Sequence, residues 1–330
     1  MTMIHSFEIR GTGICLPSRV LTNKEMESMV DTSDQWILER TGISERRIAS
    51  PKTSTSDLIA PAVRSACEDA GVPVEEVDTI LVATSTPDTM FPSTACWVQE
   101  RLGVRGPAAL DVAAGCTGWL YALELAGALI SSGRARNVVV AAGEVMSKVI
   151  DWTDRRTCVL FGDGAAAVVL SATDREDAGV LASNWGADGT LAQILYQPAG
   201  GTQRPASAET IAENAHVVHM DGGAVFRQAV RAMSTSANQA LEAASLTPAD
   251  VDLMIPHQAN IRIIEATRSR VGVPLERTFN TVSRYGNVSA ATIPMALHEA
   301  RKAGKLSAGD HVLLTSFGTG LTWASTVLRW

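Results

Sequence analysis

The feature that most constrains this chain is an internal repeat. Ala66 to Ala83 aligns without gaps onto Ala240 to His257, 174 residues further on, so that Ala66, Glu68, Ala70, Val77 and Asp78 meet Ala240, Glu242, Ala244, Val251 and Asp252. Both segments read as a helix, a turn (Gly71-Val72-Pro73 or Ser245-Leu246-Thr247-Pro248), a Val-Asp pair and an apolar strand. A second match sets Gly115-Cys116 against Gly286-Asn287. Each pair is followed at the same distance by a helix-ending glycine, Gly133 or Gly304, ahead of another strand. Such a chain is predicted to fold as two related α/β halves, 1–172 and 173–330, each with a helix whose start faces the other half across a pseudo-twofold axis. A length of 330 residues suits two domains better than one. Pro294 spoils perfect equivalence, because a proline beyond the first turn costs a helix one hydrogen bond.

Several classes are disfavoured. Hydrophobic residues make up 46% of the chain, enough for a sizeable core, and the net charge of −7 opposes bulk attraction to nucleic acid or anionic lipid. Any anionic partner has to be met by a local basic patch. Met1 to Leu16 carries Glu8 and Arg10 and lacks the layout of a secretion signal. The most apolar stretch, Trp119 to Ile130, is interrupted by Glu124 and falls well short of the roughly 20 residues that cross a bilayer. Five cysteines, at 15, 67, 96, 116 and 158, have no CxxC spacing, which argues against a disulfide framework or a zinc site and for a reducing cytoplasm.

Three residues stand out chemically. Leu110 to Cys116 reads as a strand and turn leading into the apolar helix Thr117 to Ser132, which puts the Cys116 thiol at a helix start, where free amides and the helix dipole favour thiolate. An inert core cysteine is the commoner fate, and it is the one expected for the other four. His257 ends the buried run Val251 to Pro256, at a strand end where the binding groups of α/β sheets gather. Asn287 sits in a Gly-Asn pair that a turn alone would explain; its symmetry with Cys116 singles it out. Ser316-Phe317-Gly318-Thr319-Gly320 ends another apolar strand and can bring a backbone N–H beside the thiol. His216 and His219 are expected on opposite faces of a strand, and His5, His298 and His311 in structural or solvated roles, so no metal site is expected.

The motifs Asp31-Thr32-Ser33-Asp34-Gln35-Trp36-Ile37, Arg40-Thr41-Gly42-Ile43, Phe91-Pro92-Ser93, Ala114-Gly115-Cys116-Thr117-Gly118, Phe161-Gly162-Asp163-Gly164-Ala165, Pro256-His257-Gln258-Ala259-Asn260, Gly286-Asn287 and Phe317-Gly318-Thr319-Gly320-Leu321-Thr322-Trp323 run through nearly the whole chain. Together they resemble the thiolase-fold condensing enzymes, and within them the β-ketoacyl-acyl carrier protein synthase III family. The resemblance implies a five-layered α-β-α-β-α fold and a decarboxylative Claisen condensation that starts fatty acid synthesis. It makes Cys116 the acyl-accepting nucleophile, with His257 and Asn287 as donors to an enolate, and the backbone amides of Cys116 and Gly318 as the oxyanion hole. It also implies an acyl-CoA and malonyl-acyl carrier protein as substrates, no cofactor and a homodimer in which Phe91 closes the partner's acyl pocket.

For the substrate arm, Trp36 and Arg40 are four apart and share a helix face, so that a flat adenine fits between indole and guanidinium. By the resemblance, Arg155 contacts the nucleotide end of CoA. Arg262, with Arg227, Arg268 and Arg270, supplies the positive patch that an acidic carrier protein needs on a net-negative enzyme. Two departures from the family's pattern are visible. Gly223 stands where an Asn commonly lines the pantetheine tunnel, with Arg227 at a Lys-like position, and Ala166 replaces a frequent glycine.

Other readings are a relative of the same fold that serves a secondary pathway or another acceptor, and a non-enzymatic scaffold, which the presence of the nucleophile opposes. Papain-like hydrolases also carry Cys, His and Asn in this order, but they usually show a Cys-Gly-Ser-Cys-Trp run where this chain has Gly-Cys-Thr-Gly-Trp.

Overall fold

The computed structural model describes residues 6–175 and 178–330, so His5 lies outside the described residues. Two sheets form its frame. The first contains β1 (Ser6–Cys15), β2 (Thr79–Ala83), β3 (Ala108–Val112), β4 (Asn137–Val145) and β5 (Asp163–Thr173), in the spatial order β1-β5-β4-β2-β3. The second contains β6 (Gly179–Ala187), β7 (Leu253–Pro256), β8 (His311–Gly318) and β9 (Thr322–Arg329), in the order β7-β8-β9-β6.

Laid side by side, β2-β4-β5-β1 and β7-β8-β9-β6 are one arrangement. In each, the first pair is parallel and the next two are antiparallel. Thr79 and Leu253, and Asn137 and His311, open equivalent strands and stand 174 residues apart. β3 lacks a full counterpart. An isolated parallel bridge between Met254 and Thr278 marks where that strand would lie.

Seven helices matter here: α1 (Asp34–Thr41), α2 (Thr55–Ala70), α3 (Thr94–Leu102), α4 (Gly118–Ser131), α5 (Gly222–Ala243), α6 (Ile261–Val271) and α7 (Thr292–Lys302). α4 and α7 fill the space between the sheets. Trp119, Leu120 and Leu123 of α4 and Ile293, Met295 and Leu297 of α7 share one core with Val140 and Val168 of the first sheet and Ile255 and Leu314 of the second. α2 and α3 cover the outer face of the first sheet, and α5 and α6 that of the second, which completes five layers. β4 and much of β5 are therefore buried on both faces, and their near-continuous Val and Ala runs follow from that. Gly11 and Gly13 let α2 lie directly on β1: a Cβ on either would come within 2.3 Å of a helix carbonyl oxygen. The apolar stretch Trp119 to Ile130 is thus the central core helix, and no helix of the described residues is long and apolar enough to cross a membrane.

One detail of the predicted repeat is corrected. α4 is preceded by a 3-10 turn, Gly115–Thr117, and α7 by another, Ser289–Ala291. Gly115 has φ +55° and Ser289 φ +46°, and they stand 174 residues apart like the strands. The structural counterpart of Gly115 is therefore Ser289, and Asn287 lies three residues before the counterpart of Cys116. The match on Gly286-Asn287 failed because α7 has 11 residues against 14 in α4, which makes the helix-ending glycines a false anchor. Pro294 is the third residue of α7, in the first turn, where its missing N–H leaves no bond unmade.

Candidate active site

Cys116 sits in the 3-10 turn ahead of α4, between the two sheets. Its thiol donates to Ser289 Oγ at 3.4 Å, and its carbonyl accepts from Ser316 Oγ at 2.9 Å. Gly318 closes over it from the end of β8: a Cβ there would lie 2.7 Å from Cys116 N, so only glycine lets this backbone reach the Cys116 amide.

His257 follows β7 and is anchored by its amide to Thr315 O at 2.8 Å. It is 3% exposed, and its Nδ1 lies 2.6 Å from Thr292 Oγ1, whose hydroxyl is also 3.0 Å from Ser289 O. Nε2 is left without a protein partner among the described residues. Asn287 is held through its backbone by Leu160 and Gly162, and its Oδ1 accepts the Ser289 amide at 2.8 Å. That orients its Nδ2 as the unengaged donor. Residues 287–292 thus tie together all three side chains singled out in the sequence. Asn287 receives the Ser289 amide, Ser289 meets the Cys116 thiol and Thr292 meets the His257 ring.

The electrostatics differ from expectation in one respect. The helix start was predicted to favour thiolate. Burial instead pushes the Cys116 thiol up to about 12, Glu144 adds to the rise, and the hydrogen bond with Ser289 and the residue's own amide only partly oppose it. The resting sulfur is a neutral thiol. His257 moves the other way: with no carboxylate beside it, burial lowers it to about 3, and the ring is neutral at any working pH. Cys116 keeps some solvent contact through a cavity of about 320 Å³, which it lines with Ser85, Phe161, Leu195, Ser289 and Thr319.

This constellation has relatives. Residues 110–189 match the family 3-Oxoacyl-[acyl-carrier-protein (ACP)] synthase III, and residues 241–330 match its C-terminal part. A beta-ketoacyl-[acyl-carrier-protein] synthase III from Roseiflexus castenholzii is 52% identical over 322 residues, 98% of this chain and 97% of its own. One from Caldanaerobacter subterraneus subsp. tengcongensis is 50% identical with the same coverage. The crystal structure of 3-oxoacyl-[acyl-carrier-protein] synthase III from Aquifex aeolicus matches with a TM-score of 0.91 at 44% identity, covering 98% of this chain and 100% of that one. The chain belongs to the β-ketoacyl-[acyl-carrier-protein] synthase III family. It is a condensing acyltransferase with the thiolase-like fold.

Within the synthase III frame, the substrate-arm residues lie as follows. Trp36 and Arg40 share one face of α1, with the guanidinium carbon 5.9 Å from the indole centroid. Arg155 approaches the same ring at 5.1 Å and is pinned by Asp31 O at 2.7 Å. Gly223 is the second residue of α5, beside a groove that Asp154, Arg156, Tyr196 and Asp221 also line. A Cβ on Gly223 would meet only Arg227 and Asp221, at 3.5 Å, so the backbone does not require glycine there. Arg262 on α6 lies 5.6 Å over Phe226 of α5, beside Arg227, and all but the partly buried Arg268 of the predicted basic cluster are exposed. Arg268 instead bonds Val273 O at 3.1 Å. Phe91 is 83% exposed on the loop before α3.

The remaining histidines are structural or exposed. His219 lies in a short strand, but His216 does not share it; it sits in a turn with Nε2 2.8 Å from Thr210 Oγ1. Buried His298 meets Thr12, and half-buried His311 meets Asp250 O. Among the described residues no group of three His, Cys, Asp or Glu is placed to hold a metal. Sequence reasoning missed Ser289, Thr292 and Glu144, and placed Ser316 beside the thiol without seeing its bond to the Cys116 carbonyl. Only the 174-residue offset, carried from the strands to the turn, had the power to find Ser289.

Proposed function

We propose that this protein condenses an acyl-CoA primer with malonyl-acyl carrier protein and so starts fatty acid synthesis, with Cys116 as nucleophile and with His257 and Asn287 as donors to the enolate. The observation that carries the assignment is the 287–292 segment, which links all three residues through Ser289 and Thr292. Cys116 sulfur attacks the thioester carbonyl, and the amides of Cys116 and Gly318 hold the oxyanion, a role in which one donor is worth about 3 kcal/mol. Coenzyme A leaves and acyl-Cys116 remains. Malonyl-thioester then loses carbon dioxide, and the enolate oxygen rests on His257 Nε2 and Asn287 Nδ2. Its carbon attacks the acyl-Cys116 carbonyl and Cys116 sulfur departs, releasing the β-ketoacyl product. Two neutral donors suit this step, since a carboxylate beside the enolate would oppose it.

In this reading Trp36, Arg40 and Arg155 take the nucleotide of CoA, Gly223 widens the pantetheine passage, and Arg227, Arg262 and Arg270 receive the carrier protein. The chemistry needs no cofactor. Residues 1–172 and 173–330 act as two halves with the nucleophile on one and the donors on the other. Exposed Phe91 completes the acyl pocket of a second copy in a cytoplasmic homodimer. Intact mass spectrometry tests the core of this: wild-type protein gains the acyl mass on Cys116 from acyl-CoA and loses it on adding malonyl-acyl carrier protein, whereas Cys116→Ala never gains it. Acyl mass on another residue, or no β-ketoacyl product, overturns the reading. A β-ketoacyl chain made only from an unusual primer or acceptor assigns it to a specialised pathway.

A further inference from the structure

Arg46 is a charged side chain with no solvent contact, and nothing in the reaction above uses it. It lies on the strand Glu45–Ile48, which pairs antiparallel with Arg19–Thr22. The oxygens that its guanidinium meets are neutral: Nη1 donates to Leu21 O at 3.2 Å and to Asn23 Oδ1 at 2.8 Å, and Nη2 donates to Val159 O at 2.8 Å. Keeping a guanidinium in the interior without a carboxylate costs stability. Its clearest effect is on Asn23.

Asn23 is itself 1% exposed. A guanidinium only donates, so it fixes the amide with Oδ1 toward Arg46 and leaves both Nδ2 protons to other acceptors. Nδ2 donates to Asp34 Oδ1 at 2.8 Å and to Ile43 O at 2.7 Å. Asp34 is the first residue of α1, and Ile43 follows Gly42, which caps the helix end with φ +72°. One side chain thus grips both ends of the helix that carries Trp36 and Arg40.

The far side of Arg46 reaches the wall of the Cys116 cavity. Val159 is followed by Leu160, whose carbonyl accepts the Asn287 amide at 2.8 Å, and by Phe161, which lines the cavity. Arg46 and Asn23 therefore form a buried polar connection between α1 and the segment that holds Asn287.

Resting on the reading of Trp36, Arg40 and Arg155 as the nucleotide site, we propose that Asn23, oriented by Arg46, is a positioning residue for acyl-CoA, which holds α1 in place before the substrate arrives. Asn23 is too deeply buried to touch the nucleotide and acts through the helix. The nucleotide is remote from the reacting thioester, and its binding energy is available in full only where the surface that receives it is already ordered. With α1 released, each binding event must also order the helix, so affinity falls while the chemistry at sulfur is unchanged. A thioester without the nucleotide does not engage α1 and is indifferent to Asn23.

The test compares loading of Cys116 from a CoA thioester and from the pantetheine thioester of the same acyl group, chosen as the one that loads wild type fastest. The decisive variant is Asn23→Asp. Its carboxylate still accepts from Arg46, now as an ion pair, so Tm holds, while both donors to α1 are gone and a second carboxylate faces Asp34. The expected result is a KM for acyl-CoA raised about tenfold with an unchanged kcat for loading, and wild-type loading from the pantetheine thioester. Adding Asp34→Asn returns a donor to that contact, and the double variant recovers part of the loss. Arg46→Met frees the amide to turn over and gives the same selectivity at a lower Tm. Equal losses with the two thioesters, an unchanged KM for acyl-CoA in Asn23→Asp, or no recovery in the double variant overturns the proposal. Trp36→Ala reads the underlying assignment separately. If it too leaves KM for acyl-CoA unchanged, the nucleotide site lies elsewhere; if it alone raises KM, the site stands and the role of Asn23 fails.

Discussion

Gly318 and Cys116 are in backbone contact, and this makes Gly318 the position least tolerant of a methyl group. The added Cβ would meet Cys116 N at 2.7 Å, Thr117 N at 3.0 Å and Ala114 O at 3.1 Å, all backbone atoms that cannot swing aside. Gly318→Ala is expected to lower stability by about 1–3 kcal/mol and acyl loading by more than tenfold, as read by thermal unfolding and by intact mass. The ionisation of the site predicts a stability profile as well. His257 is lowered from 6.5 to about 3 in the folded state, so between those values the unfolded chain binds more protons. Stability from this group is complete above pH 6.5 and drains as pH falls toward 3, by up to about 1.4 kcal/mol per unit. Cys116 is raised from 9 to about 12, so its contribution is complete below pH 9 and lost as pH rises toward 12. Tm measured across pH should therefore fall less steeply in acid for His257→Asn, and in alkali for Cys116→Ala, than for wild type. At this scale the three side chains that the structure brings together, Cys116, His257 and Asn287, are legible in the sequence because Cys, His and Asn sit at strand and helix ends with recognisable neighbours. Ser289, Thr292 and Glu144 are not, since a hydroxyl or carboxylate shows its partner only once distant segments have been packed together.

The segment 287–292 links the two sheets chemically, and α7 takes its place from it. Thr292 is its last residue and the first of α7. Its hydroxyl lies 2.6 Å from His257 Nδ1 and 3.0 Å from Ser289 O, and when its one proton goes to Nδ1 the ring proton sits on Nε2, where an enolate needs it. Thr292→Val keeps the shape and removes the hydroxyl. It is expected to slow condensation by about 10–100-fold, the cost of an unsatisfied buried polar group, while leaving acyl loading within a few-fold of wild type. Product formation from preloaded acyl enzyme, together with the ring ¹⁵N shifts of His257, measures both effects; equal loss in the two half-reactions would contradict the donor role. The element pattern also shows how far the repeat could be read. Val-Asp ahead of β2 and β7 fixes the strands, because turn chemistry and strand burial are local. The helix starts could not be aligned that way: α4 and α7 differ in length, and only the positive φ of Gly115 and Ser289 reveals the true register.

For the molecule as a whole, charge separates its two substrates. The chain carries −7 overall, so an acidic carrier protein is repelled at long range and must be captured locally. Arg262 of α6 lies over Phe226 of α5, whose next residue is Arg227; both arginines are exposed on the outer layer of the second half, with Arg270 on the same helix as Arg262. The proposed nucleotide arm, Trp36 with Arg40 and Arg155 against its ring, belongs to other elements. A charge reversal on one arm should therefore leave the other step alone. Arg262→Glu is expected to raise KM for malonyl-acyl carrier protein by roughly tenfold or more through slower association, and to leave the rate of loading from acyl-CoA unchanged. The wild-type enzyme should lose affinity for the carrier protein steeply between low and physiological salt, because exposed charges separated by more than about 8–10 Å are screened there. In Arg262→Glu that dependence should flatten or reverse, since the attraction that salt screens has been replaced by repulsion. A variant that keeps the wild-type salt slope places carrier-protein capture on a different face of the enzyme, and equal damage to loading shows that the two arms are not separate.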